Sequence, residues 1–222
     1  MNAETIHLSS SSDRVGALTL VLGGVRSGKS RFAQDLAAKL AGDDVLFVAT
    51  AESHDGEMQH RIEHHQRSRP STWKTLEQPL ETAIAIAQWI NESKHEPGVV
   101  IIDCLTLLVS NLLCRPESES LSMDVLESQV LEESDALIHL ANCFETDVVI
   151  VSGEVGSGVV PEHPLGRRFR DLLGLANQRL AASADATYWM VAGLAINATT
   201  LATSVAEAAA QTPSRQEHQH ES

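Results

Sequence analysis

A chain of 222 residues, 43% hydrophobic and 21% charged, can bury one substantial core without disulfide staples. Its formal net charge of −14 argues against nucleic acid or anionic membranes as partners, because phosphate-backbone binding needs clustered Lys and Arg. A small phosphate ligand needs only a local cation and stays allowed. Three scattered cysteines (Cys104, Cys114, Cys143) form no CxxC pair, and no apolar stretch approaches eighteen residues. A reducing cytoplasmic setting is expected, with no disulfide framework, signal core or transmembrane helix.

In chain order, residues 1–16 are polar and Ser-rich and read as a mobile arm. Leu18–Leu22 is a short apolar run of buried-strand type, followed by a Gly-rich loop and a helical pattern over Arg31–Leu40. A second strand, Val45–Ala49, leads into a polar stretch with helical periodicity over Glu57–Gln66. Helix Leu80–Asn91, strand Val99–Ile102, helix Met123–Cys143, strand Val148–Val151, helix Arg167–Ala182 and strand Thr187–Val191 follow. From 197 to 222 the chain is rich in Ala, Thr, Gln and His and reads as a flexible tail, with a frayed helix over Ala202 to Ala210. Strands apolar on both faces alternating with helices predict a three-layer α/β domain over 17–196. Its sheet is mainly parallel, with right-handed crossovers.

The Gly-rich loop, Gly23-Gly24-Val25-Arg26-Ser27-Gly28-Lys29-Ser30, matches the phosphate-binding P-loop. Glycines let successive N–H groups turn inward around phosphate oxygens, Lys29 supplies a charge for the β/γ-phosphates, and Ser30 supplies a hydroxyl for Mg²⁺. Asp103 ends a buried strand, the place from which a carboxylate reaches the metal or its water in P-loop proteins. The competing reading is a cap on the next segment.

Two further segments carry reactive side chains. Between Asp55 and Glu77 lie His60, His64 and His65 among Arg61, Arg67, Arg69 and Trp73. His60 and His64 stand four apart, as zinc ligands can, but no HExxH pattern is present. A solvated helix face and a nucleophilic or acid–base histidine are both open. Glu154-Val155-Gly156-Ser157-Gly158-Val159-Val160-Pro161 describes a tight loop after a strand, on the carboxyl edge where α/β ligands bind. Arg167, Arg168 and Arg170 follow, suited either to an anion or to structural pairing.

The ordered set GGVRSGKSRFAQ, ATAESHDGEMQHRIEHHQRSRPSTWKTLEQP, IIDCLTLLVSNLL and EVGSGVVPEHPLGRRFRDLLGLANQRLA resembles one family from about Leu18 to Leu194. It is that of the bifunctional adenosylcobinamide kinase/adenosylcobinamide-phosphate guanylyltransferases of cobalamin biosynthesis. The resemblance implies a P-loop NTPase (RecA-like) fold and two reactions. ATP or GTP phosphorylates the aminopropanol hydroxyl of adenosylcobinamide, then GMP passes from GTP to that phosphate through a guanylylated histidine.

The family pattern R-I-x-x-H-x-x-x-R-P puts the nucleophile on His65, with His64 its neighbour. It implies that Ala49, Thr50, Ala51, Gln66, Arg67, Ser68 and Arg69 border the nucleotide, with Glu77 and Asp103 as further contacts. It also implies Mg²⁺ held by Ser30 and Asp103, and a homo-oligomer, favoured as a trimer. One departure is Gly153, where the family usually has Asn before Glu-Val-Gly. The alternatives are a one-step small-molecule kinase in which His65 is structural, and a nucleotide-dependent switch without a small substrate.

Overall fold

In the computed structural model, described over residues 15–52 and 69–211, seven strands form one sheet in the order β3-β2-β4-β5-β1-β6-β7. The strands are β1 (Leu18–Gly23), β2 (Val45–Ala49), β3 (Lys74–Glu77), β4 (Val99–Asp103), β5 (Asp147–Gly153), β6 (Ala186–Val191) and β7 (Leu194–Asn197). All neighbouring pairs are parallel except β6 with β7. The helices are α1 (Lys29–Ala41), α2 (Thr82–Ser93), α3 (Leu105–Cys114), α4 (Met123–Cys143), α5 (Pro164–Ser183), α6 (Ala198–Leu201) and α7 (Val205–Gln211). A 3₁₀ turn over Pro116–Ser120 separates α3 from α4.

The central strands are mostly apolar because both faces are covered, and their apolar side chains alternate between two cores. Leu20, Leu46, Val48, Val100, Ile102, Val148 and Ile150 face α2, α3, α4 and α5. Val21, Val45, Phe47, Val99, Ile101, Val149 and Val151 face the other way, onto Ala33 and Ala37 of α1. The small residues of α1 let that helix lie close over β4 and β5. Register brings Gly23 beside Gly153 and Asp103 beside Ala49 and Val151, so the carboxyl ends of β1, β5, β4 and β2 finish on one edge.

The five expected strands and the expected layering are all present, and α4 has the expected bounds. Three elements had no clear sequence signal. β3 is a short edge strand of charged and polar residues with only Leu76 partly buried, as edge strands often are. β7 is the four-residue edge on the other side. α3 is apolar around nearly its whole circumference because it is enclosed on all sides, so it shows no amphipathic stripe. α5 begins at Pro164, three residues before the expected start, with His163 as its cap. The expected helix over Glu57–Gln66 lies outside the described residues.

The sheet edge extends past residue 196. Thr187 N–H donates to Thr199 Oγ1 at 2.8 Å, and Asn197 Oδ1 accepts from Thr200 N–H, so α6 is tied to β6. α7 is exposed throughout and lies within the stretch expected to hold a frayed helix.

Candidate functional site

The loop between β1 and α1 has the backbone of a phosphate cradle. Arg26 (φ 57°) and Gly28 (φ 96°) both take left-handed conformations, which turn successive N–H groups toward a common centre. At Gly28 the absence of a side chain is required twice. The φ disfavours L residues, and a Cβ would lie 3.3 Å from the Cα of Gly193. Beyond it, α1 starts at Lys29, and its first-turn N–H groups have no acceptor within the helix. Lys29 Nζ donates to the Gly24 carbonyl at 2.7 Å, holding the ammonium over the loop. Partial burial lowers the Lys29 pKa, and the nearby Cys104 and Asp103 oppose that shift. The Ser27 hydroxyl is buried and has no hydrogen-bond partner among the described residues. Ser30 stands half-buried in the first turn of α1.

The floor is stitched together by Thr50, which follows β2 and is fully buried. Its Oγ1 donates to the Cys104 carbonyl at 2.7 Å and accepts from Cys104 N–H at 2.8 Å, while Thr50 N–H reaches the Asp103 carbonyl. The Ala49 carbonyl is taken by Gln78 N–H, and Thr50 O by the buried Asn111 Nδ2 at 2.8 Å. Ala49, Thr50 and Ala51 therefore form a wall at the carboxyl end of β2, on the same sheet edge as the P-loop, with the Thr50 hydroxyl committed to holding β2 against β4. The half-buried Cys104 lies at this join. Desolvation, then the neighbouring Asp103 charge, pushes its pKa up to about 11, so it is a neutral thiol at ordinary pH.

Arg69 enters from the segment before β3. Its guanidinium carbon lies 3.7 Å from the centroid of the Phe47 ring, and Phe47 is fully buried, so the cation is pinned on an immovable aromatic face. Nε and Nη1 of Arg69 are buried without a hydrogen-bond partner among the described residues. Burial lowers the Arg69 pKa, and Asp103 and then Glu77 oppose that shift. Lys29, Arg69, Asp103 and Glu77 thus share one electrostatic neighbourhood, although they come from four separate stretches of chain. Two cations and two carboxylates at one sheet edge can hold a polyanion and a divalent cation together.

Between the P-loop and the end of β4, the β5–α5 loop is built as a rigid turn. Glu154 N–H donates to the Gly23 carbonyl, and its carboxylate Oε1 accepts from Gly156 and Ser157 N–H at 2.6 and 3.1 Å. Arg167 donates to the carbonyls of Pro161 and Glu162, and Arg170 to that of Gly158. Of the two roles open to these arginines, the structural one describes Arg167 and Arg170.

Gly153 ends β5 in the middle of this edge. Its N–H donates to Thr106 Oγ1 at 2.6 Å and its carbonyl accepts from Asn177 Nδ2 at 3.0 Å. A Cβ there would sit 3.0 Å from Thr106 Oγ1, so Thr106 takes much of the space an asparagine would enter.

The eight P-loop residues, Ala49 to Ala51, Arg69, Glu77 and Asp103 are all brought to this edge. His65, Gln66, Arg67 and Ser68 lie outside the described residues. Sequence reading gave no role to Asn111, Thr106, Asn177 or the Ala192–Gly193 turn. That turn joins β6 to β7 with both residues at positive φ, and Gly193 N–H donates to Ser27 O at 2.9 Å, bracing the P-loop from behind. Among the described residues no group of three or more His, Cys, Asp or Glu could cage a metal. None of the described helices is long and apolar enough to cross a membrane.

Residues 19–198 match the family described as cobinamide kinase / cobinamide phosphate guanyltransferase. The chain is 38% identical over 185 residues to the bifunctional adenosylcobalamin biosynthesis protein CobU of Escherichia coli, across 81% of this chain and 98% of that one. The protein of the same description from Salmonella typhimurium is 37% identical over 187 residues, with the same coverage. CobP of Pseudomonas aeruginosa is 39% identical over 176 residues, across 79% of this chain and 93% of that one. Among solved structures, an ATPase domain is similar at a TM-score of 0.47 and 17% identity, covering 78% of this chain and 68% of that one.

Proposed function

The chain belongs to the cobinamide kinase / cobinamide phosphate guanyltransferase family, and we propose that it carries out both steps on adenosylcobinamide at the edge described above. In the first, ATP or GTP lies in the P-loop and the aminopropanol hydroxyl attacks the γ-phosphorus. The bond to the β-phosphate oxygen breaks, and the nucleoside diphosphate leaves. In the second, a nitrogen of His65 attacks the α-phosphorus of GTP and pyrophosphate departs. The cobinamide phosphate oxygen then displaces the histidine, giving adenosylcobinamide-GDP and restoring the free imidazole.

The observation that carries this reading is the Arg69 guanidinium. It is pinned on Phe47 with Nε and Nη1 buried and lacking partners among the described residues, and it shares its surroundings with Lys29, Asp103 and Glu77. An orphaned buried donor costs about 1–3 kcal/mol unless something bonds it, and phosphate oxygens are well suited to do so. The Ser27 hydroxyl is a further orphan inside the P-loop. Lys29 and the loop N–H groups would bind the phosphates, and Arg69 would orient them toward the histidine-bearing segment that it closes. The wall at Ala49–Ala51 and the residues Gln66, Arg67, Ser68 and Glu77 would line the nucleotide.

Ser30 and Asp103 are the residues that would hold Mg²⁺. They are an all-oxygen pair suited to a hard cation that shares its remaining positions with water and phosphate. When bound, the ion would offset charge on the phosphates. A homo-oligomer, favoured as a trimer by the family resemblance, is part of this reading. Exposed Trp189, Val191 and Leu194 along the β6–β7 edge support it.

Incubating the protein with adenosylcobinamide, Mg²⁺ and ATP should yield the phosphate, and adding GTP should convert it to adenosylcobinamide-GDP with release of pyrophosphate. Accumulation of the phosphate with no further conversion would instead support a one-step kinase.

A further inference from the structure

The acceptor must reach the γ-phosphate, and the β5–α5 loop leaves the sheet between the P-loop strand β1 and the Asp103 strand β4, next to where that phosphate would lie. β5 is the direct neighbour of β1, Gly23 and Gly153 are in register, and Glu154 N–H donates to the Gly23 carbonyl. The loop therefore leaves the sheet immediately beside the phosphate cradle. Its tip carries two adjacent β-branched apolar residues turned into solvent, Val159 at 95% exposure and Val160 at 61%. Leu165 in the first turn of α5 is also exposed, and Val25 at the crest of the P-loop is 91% exposed.

Single exposed apolar side chains are ordinary, but these are held out by a firmly fixed backbone. Glu154 caps two N–H groups, and Arg167 and Arg170 occupy three carbonyls of the loop. Gly166 lies against Pro161, where a Cβ would come within 2.9 Å of the proline ring. Several polar groups of the backbone are satisfied within the turn, and beside the exposed Ser157, Glu162 and His163 its tip presents the hydrocarbon of Val159 and Val160 outward. A rigid apolar prominence beside a site for a charged nucleotide suits the other substrate, since apolar surface contributes nothing to holding phosphates. A macrocycle that carries ring methyl groups between its amide arms, and whose reactive hydroxyl sits at the end of one arm, has hydrocarbon to set against such a prominence.

We infer that Val159 and Val160 of the β5–α5 loop form part of the acceptor site, packing against the macrocycle of cobinamide while its hydroxyl-bearing arm reaches the P-loop. This rests on the functional reading above. The loop is a specificity element: it contacts the part of the acceptor that does not react, and it acts alike in both steps because both use the same macrocycle.

The test is equilibrium dialysis of cobinamide, read by its visible absorbance, with wild type, the double variant V159S/V160S and the apolar control V159L/V160I. A fluorescent GTP analogue is titrated in parallel, and molecular mass is measured by light scattering. Loss of two buried valine contacts should weaken cobinamide binding by roughly tenfold. The apolar control should stay within about twofold of wild type in cobinamide affinity, and the double variant should keep its nucleotide affinity and its mass. Unchanged cobinamide affinity in V159S/V160S overturns the inference, as does an equal loss of both ligands or a change confined to the mass. Should V159S/V160S fail to fold, V160S alone is expected to lose about threefold, and no loss there is equally contradictory. Wild type that fails to bind cobinamide contradicts the functional reading itself, whereas wild-type binding with an indifferent loop contradicts only this inference.

Discussion

Arg69 shows what a single residue contributes beyond its charge. The flat guanidinium stacks on Phe47 and presents Nε and Nη1 in a fixed fork, with Asp103 and Glu77 close enough to favour its charged form. A lysine would keep the charge but lose both the stacking and the fork. Arg69→Lys is therefore expected to lower kcat/KM for GTP by roughly 10- to 100-fold with little change in thermal stability. Near-wild-type kinetics would show that only the charge matters. A different residue-scale effect belongs to Glu133. One carboxylate oxygen accepts from Glu81 N–H, and the other is buried without a partner among the described residues. Desolvation raises its pKa, opposed first by the hydrogen bond from Glu81 N–H and more weakly by Arg115. A raised folded pKa favours the protonated form, so the stability it contributes is present below the ordinary glutamate pKa, about 4.3, and is lost as pH rises through the folded value. Glu133→Gln should thus gain stability relative to wild type as pH climbs from about 4 to about 8 in urea titrations. A difference that does not change with pH would rule this out.

At the scale of elements, the site depends on how α3 is locked to the ends of β2 and β3. Asn111 is buried in that helix, and its Nδ2 donates to Thr50 O at 2.8 Å and to Pro79 O at 3.2 Å. One amide therefore fixes the segment after β2 against the segment after β3. Asn111→Ala strands the buried Thr50 carbonyl and the part-buried Pro79 carbonyl and should cost about 1–3 kcal/mol of unfolding free energy, measured by denaturant titration. A change under about 0.5 kcal/mol would mean that water replaces the amide. This lock was not legible in the sequence. Leu105–Cys114 reads as an undifferentiated apolar run, and β3 has the composition of a loop because only one of its faces meets the core. The central strands were legible for the opposite reason: burial on both sides leaves an unbroken apolar run. Strand-to-helix alternation likewise exposed the P-loop and the strand-end Asp103. The bracing of the P-loop by Ala192–Gly193 was hidden, because it joins distant parts of the chain by a backbone hydrogen bond, which leaves no mark on side-chain type.

For the whole molecule, strand order gathers the reactive residues. With β5 between β1 and β4, and β2 and β3 beyond, the P-loop, the acceptor loop, Asp103, the Thr50 wall and Glu77 finish along one edge. A chain with net charge −14 thereby concentrates Lys29 and Arg69 where a triphosphate would lie, a local exception to its overall sign. Above all, this edge is expected to present GTP to His65 for covalent transfer. The most direct measurement is labelling of the protein with GTP carrying radioactive α-phosphorus, using wild type, His64→Ala and His65→Ala. Wild type and His64→Ala should retain acid-labile, base-stable label, as a phosphoramidate does, and His65→Ala should retain none while still phosphorylating cobinamide. Label that persists in His65→Ala, or a wild type that takes up none, would contradict transfer through this histidine.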